Sequence, residues 1–185
     1  MPSARKKVPL LIWQWGLLLL MALFFSNKSH AISEQELKVV LILKIAKFSN
    51  WSARTDSTFN FCLYRGLDYE DLLSRPTDQT SIGGKPVRFL FLKDNSRLLL
   101  NQQCHVLFVT EDTASEVKQV LRKSSFSQTL TVSDFPGFAG LGGMVELSKR
   151  NNRYAIKIDL SVVRRSGIEL SASLLEISTI INGDK

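Results

Sequence analysis

Cys104 and His105 are adjacent, and a thiol beside an imidazole is the combination that cysteine nucleophiles use. One other cysteine is present, Cys62. Both lie in apolar stretches that read as strands, Phe59-Asn60-Phe61-Cys62-Leu63-Tyr64 and Cys104-His105-Val106-Leu107-Phe108-Val109. Neighbours on a strand point to opposite faces, so Cys104 and His105 do not readily form a dyad. No Cys-x-x-Cys is present for oxidoreductase chemistry. A Ser-His-Asp triad would have to recruit His105, and there is no Gly-x-Ser-x-Gly elbow to present the serine. Zinc needs three or four suitable ligands, and no Cys/His cluster supplies them. His105 therefore reads as a hydrogen-bonded core residue. Glycine motifs for phosphate fail too. Gly83-Gly84-Lys85 is followed by Pro86, where a P-loop carries Ser or Thr. Gly137, Gly140, Gly142 and Gly143 precede a strand, whereas the dinucleotide fingerprint opens a helix. The residues point to a non-catalytic protein with no cofactor and no metal. One alternative is a small-ligand-binding module, in which the 137–143 loop with Arg164 and Arg165 frames an anion.

The compartment follows from the first 31 residues. Arg5, Lys6 and Lys7 precede an apolar run from Val8 to Phe25, and Ser29-His30-Ala31 is a small-x-small cleavage site. The pattern predicts a secretory signal cut after Ala31; its rival is an uncleaved membrane anchor, since the run is just long enough to span. The remaining residues, 32–185, form one domain of ordinary size. The net charge of +7 overstates the exported part, because four of the 24 basic residues (Arg5, Lys6, Lys7, Lys28) and none of the 17 acidic ones lie in the leader. The +3 that is left is too weak to argue for nucleic acid. An even cysteine count in an exported chain makes a Cys62–Cys104 disulfide the default expectation. It could be a permanent staple or a redox switch.

The elements that must position these residues can be read in outline. Ser33-Glu34-Gln35-Glu36 is a capping box, and a helix should run from it to about Phe48. Its apolar residues cover most of the circumference, more than one sheet face requires. It is either a deeply buried core helix or a helix whose outer side, with Trp51 just beyond, meets another chain; Leu41, Ile45, Phe48 and Trp51 are the candidate contacts. After the first cysteine strand come a short helix (about 69–74), a polar turn region (76–84), a strand (85–93), a short helix or loop (95–103) and the second cysteine strand (104–110). An amphipathic helix over 113–123 and a strand over 129–132 follow. The 137–143 loop feeds a hairpin of strands over 144–148 and 154–160. There Ile156, Ile158 and Leu160 alternate with Lys157, Asp159 and Ser161, which predicts one wet face. A last helix starts near Ser171 and ends before Gly183. This order predicts an α/β three-layer sandwich with a mostly parallel central sheet and a C-terminal antiparallel hairpin at its edge.

Four segments together carry a family resemblance over nearly all of residues 32–185. They are Leu43-Lys44-Ile45-Ala46-Lys47-Phe48-Ser49-Asn50-Trp51, then Phe61-Cys62-Leu63-Tyr64-Arg65-Gly66, and then Cys104-His105-Val106-Leu107-Phe108-Val109. The fourth runs from Leu130-Thr131-Val132-Ser133-Asp134 through Phe138 and Gly142-Gly143-Met144 to Ile156-Lys157-Ile158-Asp159-Leu160 and Ser173-Leu174-Leu175. In these the chain resembles the YfiR family of exported bacterial proteins. The resemblance implies a periplasmic, dimeric repressor that binds the periplasmic sensor part of an inner-membrane signalling protein (a diguanylate cyclase, or by extension a sensor kinase) and restrains it until released. It implies two disulfides, of which Cys62 and Cys104 match one pair; the other, expected around Met144 to Tyr154, has no cysteines here. Ser52 stands where relatives often carry proline after the tryptophan, and Glu169 where they often carry a basic residue, so a ligand site near the last helix does not transfer.

Overall fold

Helix α1 (Glu34–Lys47) opens the described chain, with Glu34 and Glu36 in its first turn and Lys44 and Lys47 in its last, the polarity that suits the helix dipole. The computed structural model describes residues 32–64, 69–73, 80–92, 103–110, 116, 118, 121, 126–151 and 153–182. The expected leader, and the segment 95–102, lie outside them. Of the helix expected over 113–123, Glu116, Lys118 and Leu121 are described, and all three are helical. Among the described residues no helix is long and apolar enough to cross a membrane.

Beyond α1 the elements are β1 (Ser49–Asn50), β2 (Phe59–Tyr64), α2 (Glu70–Leu73), β3 (Ser81–Ile82), β4 (Lys85–Leu92), β5 (Val106–Val109), β6 (Leu130–Ser133), a 3₁₀ turn (Ala139–Leu141), β7 (Val145–Arg150), β8 (Arg153–Asp159), α3 (Leu160–Ser166), β9 (Glu169–Leu170), α4 (Ala172–Glu176) and β10 (Thr179–Ile181). Eight strands form one sheet in the order β10-β8-β7-β6-β5-β2-β4-β3, and β1 pairs separately with β9. Every neighbouring pair in the large sheet is parallel except β7–β8 and β3–β4. A mixed α/β fold with a mostly parallel sheet is thus present.

The central strands explain themselves. Phe61 to Tyr64 and Val106 to Val109 are fully buried runs, as expected of parallel strands enclosed on both faces. Strand β6 is buried too, and its polar residues stitch it to its surroundings. Thr129 Oγ1, just before the strand, donates to Cys104 O, Thr131 Oγ1 accepts from Met144 N, and Ser133 Oγ donates to Val109 O. Each buried hydroxyl is thereby satisfied.

Three expectations are corrected. The β7–β8 hairpin is not at the sheet edge, because β10 lies outside β8 and parallel to it. The 171–182 segment is not one helix: α4 is capped by Ser171 and stops at Glu176, and Thr179-Ile180-Ile181 is β-branched throughout, which suits a strand. The predicted wet face of β8 is also absent at its end. Asp159 is buried because it caps α3, accepting from Val162 N, and Lys157 pairs with the buried Glu146 at 2.8 Å. In the former turn region, Gly83 and Gly84 have φ of 57° and 75°, the pair a two-residue hairpin turn of type I′ requires between β3 and β4.

The 137–143 loop closes tightly on the core. A Cβ built on Gly143 would stand 2.2 Å from Phe138 Cε1, and Phe138 is buried. Gly143→Ala should therefore lower unfolding free energy by about 1–3 kcal/mol through overpacking; chemical denaturation measures it, and an unchanged midpoint would contradict this packing.

Candidate functional site

The cysteine pair is bridged, with both residues buried and their Cα atoms 5.7 Å apart. Strand register alone does not put them together. Phe61 lies opposite Val106 and Cys62 opposite Leu107, so a straight continuation of β5 would set Cys104 opposite Phe59, away from Cys62. Instead the backbone bends at His105, and this bend brings Cys104 back to Cys62.

Several groups hold the bend. Cys104 O accepts from Arg54 Nη1 at 2.7 Å and from Thr129 Oγ1 at 2.8 Å. His105 N donates to Asn60 O and Leu130 N donates to His105 O, each at 2.8 Å. The His105 ring stacks on Phe59 with centroids 4.6 Å apart and meets Trp51 edge-on at 5.9 Å. His105 Nδ1 accepts from Asn60 N at 3.1 Å, so the neutral ring carries its proton on Nε2. Burial pushes the His105 pKa down to about 4, the Arg54 guanidinium pushes the same way, and Asp56 opposes them. The Arg54 side chain, donating to Asp56 Oδ2 at 2.7 Å, holds the Asp56 carboxyl below its usual range.

This arrangement supports little acid–base chemistry. Cys104 is not a thiol, and one nitrogen of His105 is committed to a backbone amide. The chemistry left to the site is thiol–disulfide exchange, which burial of both cysteines hinders by denying access to an attacking thiolate. His105 is a core residue, as its sequence context implies. Arg54 and Asp56 were not legible as part of the site; in a short polar stretch such charges look like solvated loop.

The other candidate residues divide. Ile45 and Trp51 are only 2% and 8% exposed; they belong to the core, because Ile45 is on the inward stripe of α1 and the Trp51 indole packs edge-on against Phe59. They are corrected as contact residues. Phe48 is exposed and Leu41 half-buried. Arg165 lines a cleft of about 270 Å³ with Gly142, Phe126 and Met144, while Arg164 is exposed on the same helix. The 137–143 loop does bind a carboxylate, but an internal one: Gly137 N and Ala139 N donate to Glu146 Oε2 at 3.1 and 3.4 Å.

A model of YfiR/HmsC-like proteins matches residues 35–179. The chain belongs to the YfiR/HmsC-like family. No curated protein matches it. In this YfiR/HmsC-like chain the matched span begins at the second residue of α1 and ends at the first of β10, and it contains the whole Cys62–Cys104 environment.

Two outcomes test the site. The bridge spans 42 residues, so replacing both cysteines by alanine should cost about 4 kcal/mol in the chain-entropy picture; denaturant titration of the oxidised protein and the double variant checks this. For His105 the folded pKa lies below the unfolded value of about 6.5. The unfolded chain therefore binds more protons between the two, and stability should fall as pH drops from about 6.5 towards 4. Above that window this group contributes no slope. His105→Gln should flatten the dependence; an equally steep profile in the variant would refute the assignment.

Proposed function

We propose that this protein is an exported, non-catalytic regulator that binds and restrains the periplasmic sensor part of an inner-membrane signalling protein, most simply a diguanylate cyclase, and that it acts as a homodimer. Membership of the YfiR/HmsC-like family carries the reading. The periplasmic setting rests on the leader pattern at residues 1–31, and the partner surface rests on α1. Leu37, Val40 and Phe48 are exposed there at helical spacing, with Leu41 half-buried between them. Four apolar side chains on one outer stripe, with Lys44 among them and Lys47 beside them, suit a protein surface better than open water. Ile177 and Ile180, exposed beside and within β10, are the contact we assign to the twin subunit.

The test uses the native membrane. Tagged protein should recover a membrane-bound cyclase or kinase, its deletion should raise cyclic-di-GMP, and light scattering should return the mass of two chains. Val40→Glu and Phe48→Glu should each weaken recovery about tenfold, roughly 1.4 kcal/mol, with unchanged folding. Recovery of no signalling protein together with unchanged cyclic-di-GMP would sink the reading.

A further inference from the structure

Strand β10 forms one edge of the large sheet, and among the described residues no strand pairs with its outer side. An open edge is a template for another strand, and natural edges are blunted by charge, proline or brevity. The opposite edge has all three. There β3 is two residues long, and β4 inside it carries Lys85, Pro86 and Arg88. Strand β10 is short, at three residues, but Ile177 to Asn182 holds no charge and no proline.

The side chains reinforce this. In the strand register, Leu63, Phe108, Val132, Val145 and Ile158 stand side by side across the sheet, all with 0% exposure. Directly opposed residues share a face, so the next member of the row is Ile180, opposite Ile158. It is 36% exposed, and Ile177, just before the strand, is 72% exposed. A buried apolar row thus ends in the open, beside an edge with nothing to repel a neighbour.

We propose that a second copy of this chain continues the row, its β10 pairing antiparallel with this β10 about a two-fold axis at Ile180. The axis sets Ile180 opposite Ile180 of the twin and Thr179 opposite Ile181 of the twin, a self-complementary contact. Two copies of a net cationic chain repel, and the uncharged stretch 177–182 is a place where they can meet without like charges opposed. With so short a strand the interface lies at the small end of the specific range, under about 1,200 Å² in total, so the dimer dissociates on dilution. This deepens the homodimer reading and rests on it, and the experiment separates the two.

Ile180→Cys and Ile177→Cys are each placed in the exported protein, with the Cys62–Cys104 bridge intact, and oxidised mildly. Directly opposed Cα atoms in an antiparallel pair stand about 4.5 or 5.5 Å apart, depending on the phase of the ladder. Both distances suit a disulfide, so Ile180→Cys should give a covalent dimer on a non-reducing gel. Residue 177 is three positions from the axis in each copy, about 20 Å from its twin at the rise of a strand. Ile177→Cys, although more exposed, should therefore crosslink at least about tenfold more slowly. Ile180→Lys sets two ammonium groups against each other and should raise the dimer dissociation constant at least about tenfold. Sedimentation over a dilution series measures this, and an unchanged circular dichroism spectrum shows that the variant folds. A dimer that survives Ile180→Lys, or crosslinking at 177 as fast as at 180, would overturn the edge pairing and leave the homodimer standing. Chains that stay monomeric at every concentration would overturn both.

Discussion

The bend at Cys104–His105 is the constraint from which the rest of the domain is hung. A parallel ladder favours straight strands, yet Cys104 must leave the ladder to meet Cys62. Three distinct segments hold it there: β2 through Asn60, the disulfide and the Phe59 ring, the start of β6 through Thr129 and Leu130, and the 51–56 loop through Arg54 and the Trp51 indole. Individually a net hydrogen bond contributes about 1 kcal/mol, whereas the covalent closure contributes about 4. The bridge is the largest single term, and the hydrogen bonds set the geometry in which it closes.

Helix α1 is located from both ends relative to that knot. At its start Glu34 accepts from Lys149 Nζ and Tyr154 Oη on the hairpin, and Lys38 reaches Asp134 at 2.7 Å. Hydrogen bonds from Lys149 and Tyr154 draw the Glu34 pKa down to about 2. At its end Ser171 N donates to Phe48 O, and Ser49 and Asn50 pair with Leu170 and Glu169. Exposed ion pairs such as that of Glu34 with Lys149 are screened by solvent and contribute little to stability. Val39, Ile42, Ile45 and Ala46 are buried, and a large apolar side chain contributes about 1.5–3 kcal/mol on burial. Burial therefore fixes which stripe of α1 faces in, and the polar ends fix its rotation and reach. The remaining apolar stripe is left facing out by the same arithmetic, because the helix has more apolar residues than one inward stripe can use.

What the sequence made legible follows the strength of its signals. Continuous apolar runs at 59–64 and 104–109 identified the two central strands, and an even cysteine count behind a secretory-signal pattern pointed to their bridge. The hairpin was legible from a polar turn between alternating strands, and its position inside the sheet was not, since a three-residue strand such as β10 carries too little pattern to outweigh a neighbouring helix signal. Asp159 was misread for a specific reason. Strand alternation placed it outward, but it is the last residue of β8 and the cap of α3 at once, and the capping role decides its burial. Trp51 and Ile45 were misplaced because an all-round apolar helix does not say which stripe faces in; only contacts distant in sequence, here Phe59 and His105 against Trp51, do so.

The glycine loop shows how a correct chemical reading can attach to the wrong ligand. Its residues suggested an anion, and an anion is there. Glu146 is 1% exposed, and an unpaired carboxylate so deep would be strongly unfavourable. Two backbone N–H groups reach one of its oxygens and the Lys157 ammonium reaches the other, which is what a buried charge requires. Gly143 lets the chain pass close enough to Phe138 for the loop to fold over that carboxylate. The donors of Gly137 and Ala139 are thus committed to a carboxylate of the chain itself.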